Sequence, residues 1–198
     1  MKATPNRVLA LVLAFAVVVG LSGCQAHTGA AAIVGGDRIT EQDLATYVTS
    51  AAVPFQNTNG ATIVPKSYVL QQIIEGRVLE AAIVAHGGAI SADELAKSVA
   101  SVIGGTTESA IVTQIAARGF TAKTEKVLVH TAALEGVFKN RFATATTAQA
   151  QAALTKSSPK ISVNPLYGTW NPGELGVDPA KPDFLQLSSS AATATPSG

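Results

Sequence analysis

Two glycine pairs, Gly87-Gly88 and Gly104-Gly105, divide the middle of the chain into segments of helical character. Apolar residues before each pair recur every three or four positions, which is the spacing of one helix face. Glycine ends helices readily because it adopts positive φ angles without strain. The helices predicted from such patterns, including a first one capped by Thr40, cover about residues 41–54, 66–86, 91–103, 107–119, 123–142 and 147–156.

Short β-forming stretches lie at the two ends of this helical region. Ala32-Ile33-Val34 and Arg38-Ile39 flank Gly35-Gly36-Asp37, a pattern typical of a tight hairpin. A second β-leaning region covers residues 161–170 and contains the single tryptophan. Because an isolated pair of short strands is barely stable, we expect the two regions to pair, with an ordered coil over 161–170 as the alternative. The predicted fold class is therefore mainly α, with a short N-terminal β-hairpin paired with a C-terminal strand.

The N-terminus has the organisation of a bacterial lipoprotein signal peptide. Lys2 and Arg7 precede an apolar run over residues 8–19, which is too short to span a bilayer comfortably. The run is followed by Leu21-Ser22-Gly23-Cys24, which has the small residues of a lipobox. This pattern predicts cleavage after Gly23 and lipidation of Cys24 by diacylglycerol, whose two chains suffice for stable anchoring. The alternative is a plain secreted protein with an incidental cysteine.

The complete organisation predicted from these patterns has four parts. They are a signal peptide over 1–23, a lipidated tether over 24–31, a helical domain over 32–170, and a disordered tail over 171–198 that is rich in Pro and Gly and then in Ser, Thr and Ala. Cleavage removes Lys2 and Arg7, which leaves 12 basic against 13 acidic residues and a formal charge of −1. A nucleic-acid partner is not expected at this charge.

Several possible signs of catalysis have simpler explanations. Residues 33–36, Ile-Val-Gly-Gly, match the start of an activated trypsin-like protease, but no basic residue precedes them and no nucleophile motif follows. Since Cys24 is the only cysteine, no internal disulfide can form and no other thiol is available. The acidic pairs Glu41/Asp43 and Asp93/Glu94 stand in predicted first turns, where the helix dipole favours them.

The three histidines also give no support to a metal site, because none is three or four residues from another. His27 lies in the tether, His86 is expected to interact with carbonyls at a helix C-terminus, and His130 lies in a helix at the core edge or in solvent. We therefore expect no enzyme activity, no catalytic residue, no metal and no cofactor.

Two stretches resemble the N-terminal chaperone region of SurA- and PrsA-type foldases. Residues 32–44 are similar to the family's opening strand, turn and capped helix, and residues 69–95 to its long helix followed by glycine and a second capped helix. The resemblance implies a helical module that binds unfolded or extended segments of exported proteins in an apolar groove. Full-length members also carry parvulin domains, but residues 143–147 lead directly into another helix. Prolyl isomerase activity is therefore not implied, and the family offers no groove motif to transfer.

The function expected from this combination is an ATP-independent, chaperone-like module, held on the extracytoplasmic face of the cell membrane by lipid on Cys24. Its partners would be unfolded or exported polypeptides. The alternative is a non-catalytic adaptor lipoprotein that holds one specific cell-envelope partner. A small-molecule-binding lipoprotein is a third hypothesis, and dimerisation by exchange of terminal strands also stays open.

Overall fold

The computed structural model of the chain describes residues 29–56, 60 and 62–179. The predicted signal peptide, Cys24, His27 and the end of the predicted tail lie outside these residues. About 54% of the described residues are helical, which confirms the mainly α fold class. The helices are α1 (Glu41–Ala45), α2 (Pro65–Gly87), α3 (Ala92–Ile103), α4 (Glu108–Ala116), α5 (Ala122–Arg141) and α6 (Thr147–Ser157). The strands are β1 (Ala30–Val34), β2 (Asp37–Thr40), β3 (Phe55–Gln56), β4 (Thr62–Ile63), β5 (Ile161–Val163), β6 (Thr169–Asn171) and β7 (Gly176–Asp178).

A three-stranded antiparallel sheet joins the two ends of the domain, in the order β2-β1-β5. Val34 pairs with Asp37 on one side and with Ile161 on the other, so the predicted pairing of the hairpin with a C-terminal strand is confirmed. Ala30 and Ala31 are fully buried in β1. The predicted tether over 24–31 is therefore too long at its C-terminal end, because its last two residues belong to the sheet.

The predicted start of the tail at residue 171 is also wrong, because the chain forms a further hairpin there. β6 pairs antiparallel with β7, with Trp170 opposite Val177. The residues between the strands begin with Pro172-Gly173, a turn-forming pair whose composition also suits a Pro- and Gly-rich tail. Both Trp170 and Tyr167 pack against the core, as expected. The folded part therefore extends at least to the end of β7.

α1 is much shorter than the predicted helix over 41–54. Its start is as expected, since Thr40 and Asp43 form a reciprocal capping box. After Ala45 the chain turns and pairs with the segment before α5: Thr49 N–H donates to Gly119 O at 2.8 Å, and Thr121 N–H donates to Tyr47 O at 2.9 Å. These long-range hydrogen bonds replace the helical ones that the local sequence favours.

α2 is the central helix and contacts α1, α5, α6, β1 and β7. Pro65 occupies its first position, where a missing N–H costs nothing, and Gly88 follows its end with a φ of +77°. Its buried apolar residues form the middle of the core, as the sequence pattern predicted. They are Val69, Leu70, Ile74, Val78, Leu79, Ala82 and Ile83.

α5 packs between α2 on one side and α3 and α4 on the other. Of its predicted apolar face, Leu134 and Phe142 are buried, whereas Val127 and Phe138 are only half-buried. Small polar side chains also connect α5 with its neighbouring helices. Thr131 Oγ1 donates to Gln72 O of α2 at 3.0 Å, and Ser98 Oγ of α3 donates to Ala133 O at 2.7 Å. α5 therefore fixes the positions of α2 and α3 by hydrogen bonds as well as by apolar packing.

Candidate functional site

An open groove of about 340 Å³ lies between α3, the start of α4 and the first half of α5. We call it the acidic groove. Its lining residues are Val99, Ile103, Glu108, Glu125, Lys126, Val129 and His130. Three of these side chains are apolar and two are carboxylates. A gap left by imperfect packing between helices would be lined by apolar side chains alone, so this groove is a candidate binding site.

The apolar wall of the groove comes mainly from α3, which has a strongly one-sided distribution of apolar residues. Only Ser98 is buried in this helix, while Leu95, Val99 and Ile103 are half-buried and Val102 is 40% exposed. A helix of this kind normally buries its apolar face against the core. Here the face is only partly covered, so α3 leaves apolar surface available along the groove.

The position of α3 follows from a close contact with α5. A Cβ atom at Gly136 would lie 2.3 Å from Ser98 Oγ, so a larger residue there would displace this hydroxyl from its hydrogen bond with Ala133 O. Gly104 then adopts the left-handed conformation and turns the chain toward α4. α4 has no buried residue, and its three large apolar side chains, Ile111, Val112 and Ile115, are half-buried. The two helices therefore form an arm that is attached mainly to α5.

Glu125 is the unusual residue of the acidic groove. It is only 4% exposed, and its carboxylate forms no hydrogen bond or ion pair within 4 Å with another described residue. Burial and the nearby Glu108 carboxylate raise its pKa, while Lys126 opposes this effect. Glu125 stands in the first turn of α5, where the helix dipole favours a negative charge, and this explains why the residue is acidic. This position does not by itself explain why the side chain is almost wholly removed from solvent and has no donor among the described residues.

Two basic groups, Lys126 and His130, border the groove and are exposed. His130 is thus in solvent, one of the two environments expected for it. No cluster of three or more His, Cys, Asp or Glu side chains with the geometry of a metal site occurs among the described residues. The chemistry of the groove is that of a binding surface with apolar walls and a pair of carboxylates.

A second pocket, of about 230 Å³, lies between the start of α2, β4 and the β6–β7 hairpin. Leu166 and Val64, which are 81% and 50% exposed, line this pocket. Tyr167, also in its wall, donates a hydrogen bond to the Glu41 carboxylate, and burial followed by this bond raises the pKa of the phenol. The described lining of this pocket contains no charged residue, whereas the acidic groove combines apolar walls with charged groups.

Of the acidic pairs considered in the sequence, Glu41, Asp43 and Glu94 have partners in the structure, while Asp93 stands in a helix first turn. Asp43 caps α1, and its hydrogen bonds from Thr40 lower its pKa. Asp93 and Glu94 stand in the first turn of α3, as predicted. Ser91 accepts from Glu94 N–H at 3.1 Å, while the Glu94 carboxylate binds Arg141 instead of completing a reciprocal capping box. These contacts account for the acids without a catalytic role.

The structure corrects the environment predicted for His86. Instead of binding helix carbonyls, its ring stacks on Phe142 with the ring centroids 4.1 Å apart. Arg141 takes that role and donates to the carbonyls of Ile83, Gly88 and Ala89. The sequence contained no pattern that singled out Arg141 or Glu125, because both contacts join residues that are distant along the chain.

Comparison of the chain with protein-family models, with curated proteins and with solved structures found no match. In the described part of the chain, no helix has both the length and the apolar character needed to cross a bilayer.

Proposed function

We propose that this protein is a membrane-anchored, extracytoplasmic lipoprotein that binds unfolded or extended segments of exported proteins, as an ATP-independent chaperone-like module without prolyl isomerase activity. The observation that carries the proposal is the partly uncovered apolar face of α3 along the acidic groove. Exposed apolar surface in a groove with a polar rim is typical of a protein-binding site. The signal sequence and Cys24 supply the expected location.

The alternative site type, an enclosed small-molecule cavity, is less well supported by the groove. Ligand pockets usually enclose most of their ligand, whereas the acidic groove is open to solvent along its length. A polypeptide can cross such a groove and insert individual side chains. The resemblance to the SurA and PrsA chaperone region agrees with this use of a helical domain.

Suppression of aggregation tests the proposal directly. Residues 25–198, without the signal sequence and lipid, should reduce aggregation of several chemically unfolded proteins at near-stoichiometric amounts. Val129→Asp should weaken this effect by placing a carboxylate in the apolar wall. Val53→Asp is the matched control, because Val53 is 65% exposed and lies outside the groove. No suppression with any client, or equal suppression by both variants, would contradict the proposal.

Crosslinking in cells separates a general chaperone from an adaptor for one partner. A photoreactive amino acid at Ile103 lies in the groove, and one at Lys139, whose side chain is 74% exposed, serves as a surface control. We expect many different products from position 103 and few from position 139. A single dominant product from position 103 would favour the adaptor instead.

A further inference from the structure

The two carboxylates of the acidic groove bear on which polypeptide segments it would accept, an inference that rests on the proposed function. Apolar grooves that bind unselectively need no charged group, and a carboxylate that is largely shielded from water favours a nearby cation. Glu125 is nonetheless 96% removed from solvent and has no hydrogen-bond donor among the described residues. Its carboxylate is one of the groups that line the groove.

The surroundings of Glu125 favour a positive charge from outside the chain. Glu108, at the start of α4, lies near enough to raise the pKa of Glu125, so the two negative charges repel one another. Lys126 is a nearby cation that lowers the pKa of Glu125, but its side chain is exposed to solvent. A cation that entered the groove between the two carboxylates would relieve the repulsion and donate hydrogen bonds to them.

The remaining walls define what should flank this cation. Val99 and Ile103 of α3 and Val129 of α5 lie beside the carboxylates in the same groove. A metal ion would not use these walls, and the described residues offer no third acidic or histidine ligand in suitable geometry. The side chain of lysine or arginine fits better, because its aliphatic stem packs on apolar residues while its charged end reaches a carboxylate.

We propose that the acidic groove selects polypeptide segments in which a lysine or arginine is flanked by apolar residues, with Glu125 as the main acceptor of the cation and Glu108 as its second negative charge. Apolar neighbours of the basic residue contact the α3 wall. The groove thus distinguishes basic apolar segments from neutral ones of equal hydrophobicity.

A pair of labelled peptides tests this selectivity. Both are seven residues long with leucine, valine and phenylalanine around a central lysine, and in one of them that lysine is acetylated, which removes its charge and retains its stem. Binding is measured by fluorescence anisotropy with the full-length chain in nanodiscs of zwitterionic phosphatidylcholine, and empty nanodiscs serve as the blank. We expect the lysine peptide to bind at least about tenfold more tightly than the acetylated one.

Glu125→Gln should remove this preference while leaving the affinity for the acetylated peptide unchanged or higher, because the amide has the same shape without the charge. Glu80→Gln is the matched control, since Glu80 is an exposed carboxylate on α2 outside the groove. Glu108→Gln should reduce the preference in part. This second variant leaves the buried Glu125 site unaltered and still tests the charge pair if Glu125→Gln folds poorly.

The outcomes separate the selectivity from the proposed function. Equal affinity of the wild-type chain for the two peptides, or an unchanged preference in Glu125→Gln, would overturn the selectivity and leave groove binding intact. Failure of both peptides to bind the wild-type chain would overturn the proposed function as well.

Discussion

Arg141 joins the ends of three helices through one guanidinium group. It lies at the end of α5, forms two hydrogen bonds of 2.8 and 2.6 Å with the Glu94 carboxylate of α3, and donates to three carbonyls at and after the end of α2. Gly88 and Ala89 follow the end of α2, so their carbonyls are not acceptors of the hydrogen bonds within that helix. The hydrogen bond from Arg141 lowers the pKa of Glu94. Arg141 therefore has a structural function, and it lies at the opposite end of α5 from Glu125.

Arg141→Met should lower the melting temperature clearly, because it leaves the Glu94 carboxylate and three carbonyls without this donor. Lys139→Met is the matched control two residues earlier, where an exposed lysine pairs only with Glu135 at 3.2 Å on the same helix. Such a surface pair contributes little to stability. Thermal unfolding followed by circular dichroism measures both, and equal melting temperatures would contradict the role given to Arg141.

Gly119 is required by a close approach as well as by its φ of +80°. A Cβ atom there would lie 2.4 Å from Ala52 Cα, in the segment that replaces the predicted second half of α1. Gly105 has a similar φ of +84° but open space around it. We expect Gly105→Ala to cost about 1 kcal/mol of unfolding free energy and Gly119→Ala at least about 1 kcal/mol more. Urea denaturation gives both values, and a smaller loss for Gly119→Ala would rule out the close approach.

Helices α3 and α5 nearly touch at one point, at some distance from the Arg141–Glu94 contact. There Ser98 Oγ donates to Ala133 O, and the absence of a side chain at Gly136 leaves room for the hydroxyl group. This contact determines the orientation in which α3 presents its apolar face. The width of the acidic groove therefore depends on one pair of small residues.

A double-mutant cycle tests this contact. Ser98→Ala should cost about 1 kcal/mol through loss of the hydrogen bond. Gly136→Ala should be nearly neutral, because the same loss offsets a gain of about 1 kcal/mol in helix propensity. The double variant should then be as stable as Gly136→Ala alone, which is a coupling of about 1 kcal/mol. Additive effects of the two substitutions would show that the residues do not touch.

The interface of α2 with α5 contains a second pair of carboxylates. Burial, followed by repulsion from Glu135, raises the pKa of Glu75 to about 7 from a reference value of 4.5, and a hydrogen bond from Gln72 opposes the shift. A carboxyl group whose pKa is raised on folding binds more protons in the native than in the unfolded state between these two values. Its contribution to stability is therefore complete below about pH 4.5 and is lost as the pH rises through about 7.

Glu75→Gln should reduce the loss of stability between about pH 4.5 and pH 7, because the amide does not titrate. Glu80→Gln, an exposed substitution on the same helix, should leave the pH dependence unchanged. Urea midpoints measured at several pH values provide the comparison. An identical pH profile for Glu75→Gln and wild type would contradict the raised pKa.

At the scale of the whole molecule, the strands at the two ends of the chain close a helical domain whose α3–α4 arm is attached mainly to α5. Regular patterns predicted much of this, including α2, α3 and the pairing of β1 with β5, because helix periodicity and glycine stops are local signals. The end of α1 and the β6–β7 hairpin were not predicted. Both depend on contacts such as Val48 with Phe120 and the packing of Trp170 on the core, which no local pattern records. Glu125 was missed for the same reason.

The proposed attachment to the membrane belongs to the scale of the whole chain and rests on the predicted lipidation of Cys24. Cys24→Ser should release the protein from the membrane fraction, since the predicted acyl chains contribute about 0.8 kcal/mol for each buried methylene. The Ser22→Ala variant is a control that retains the cysteine and a small residue before it. Fractionation of cells followed by immunoblotting measures the distribution. Unchanged membrane association of Cys24→Ser would show that another element anchors the chain.

Hydrogen exchange tests most directly whether the acidic groove binds extended polypeptide. Amide exchange of residues 25–198 is followed by mass spectrometry with and without reduced, carboxymethylated α-lactalbumin, which stays unfolded and soluble. We expect client-dependent protection in α3, α4 and the first half of α5, and its loss in Val129→Asp but not in Val53→Asp. Protection confined to the second pocket around Leu166, or no protection at all, would contradict the assignment of the groove as the binding site.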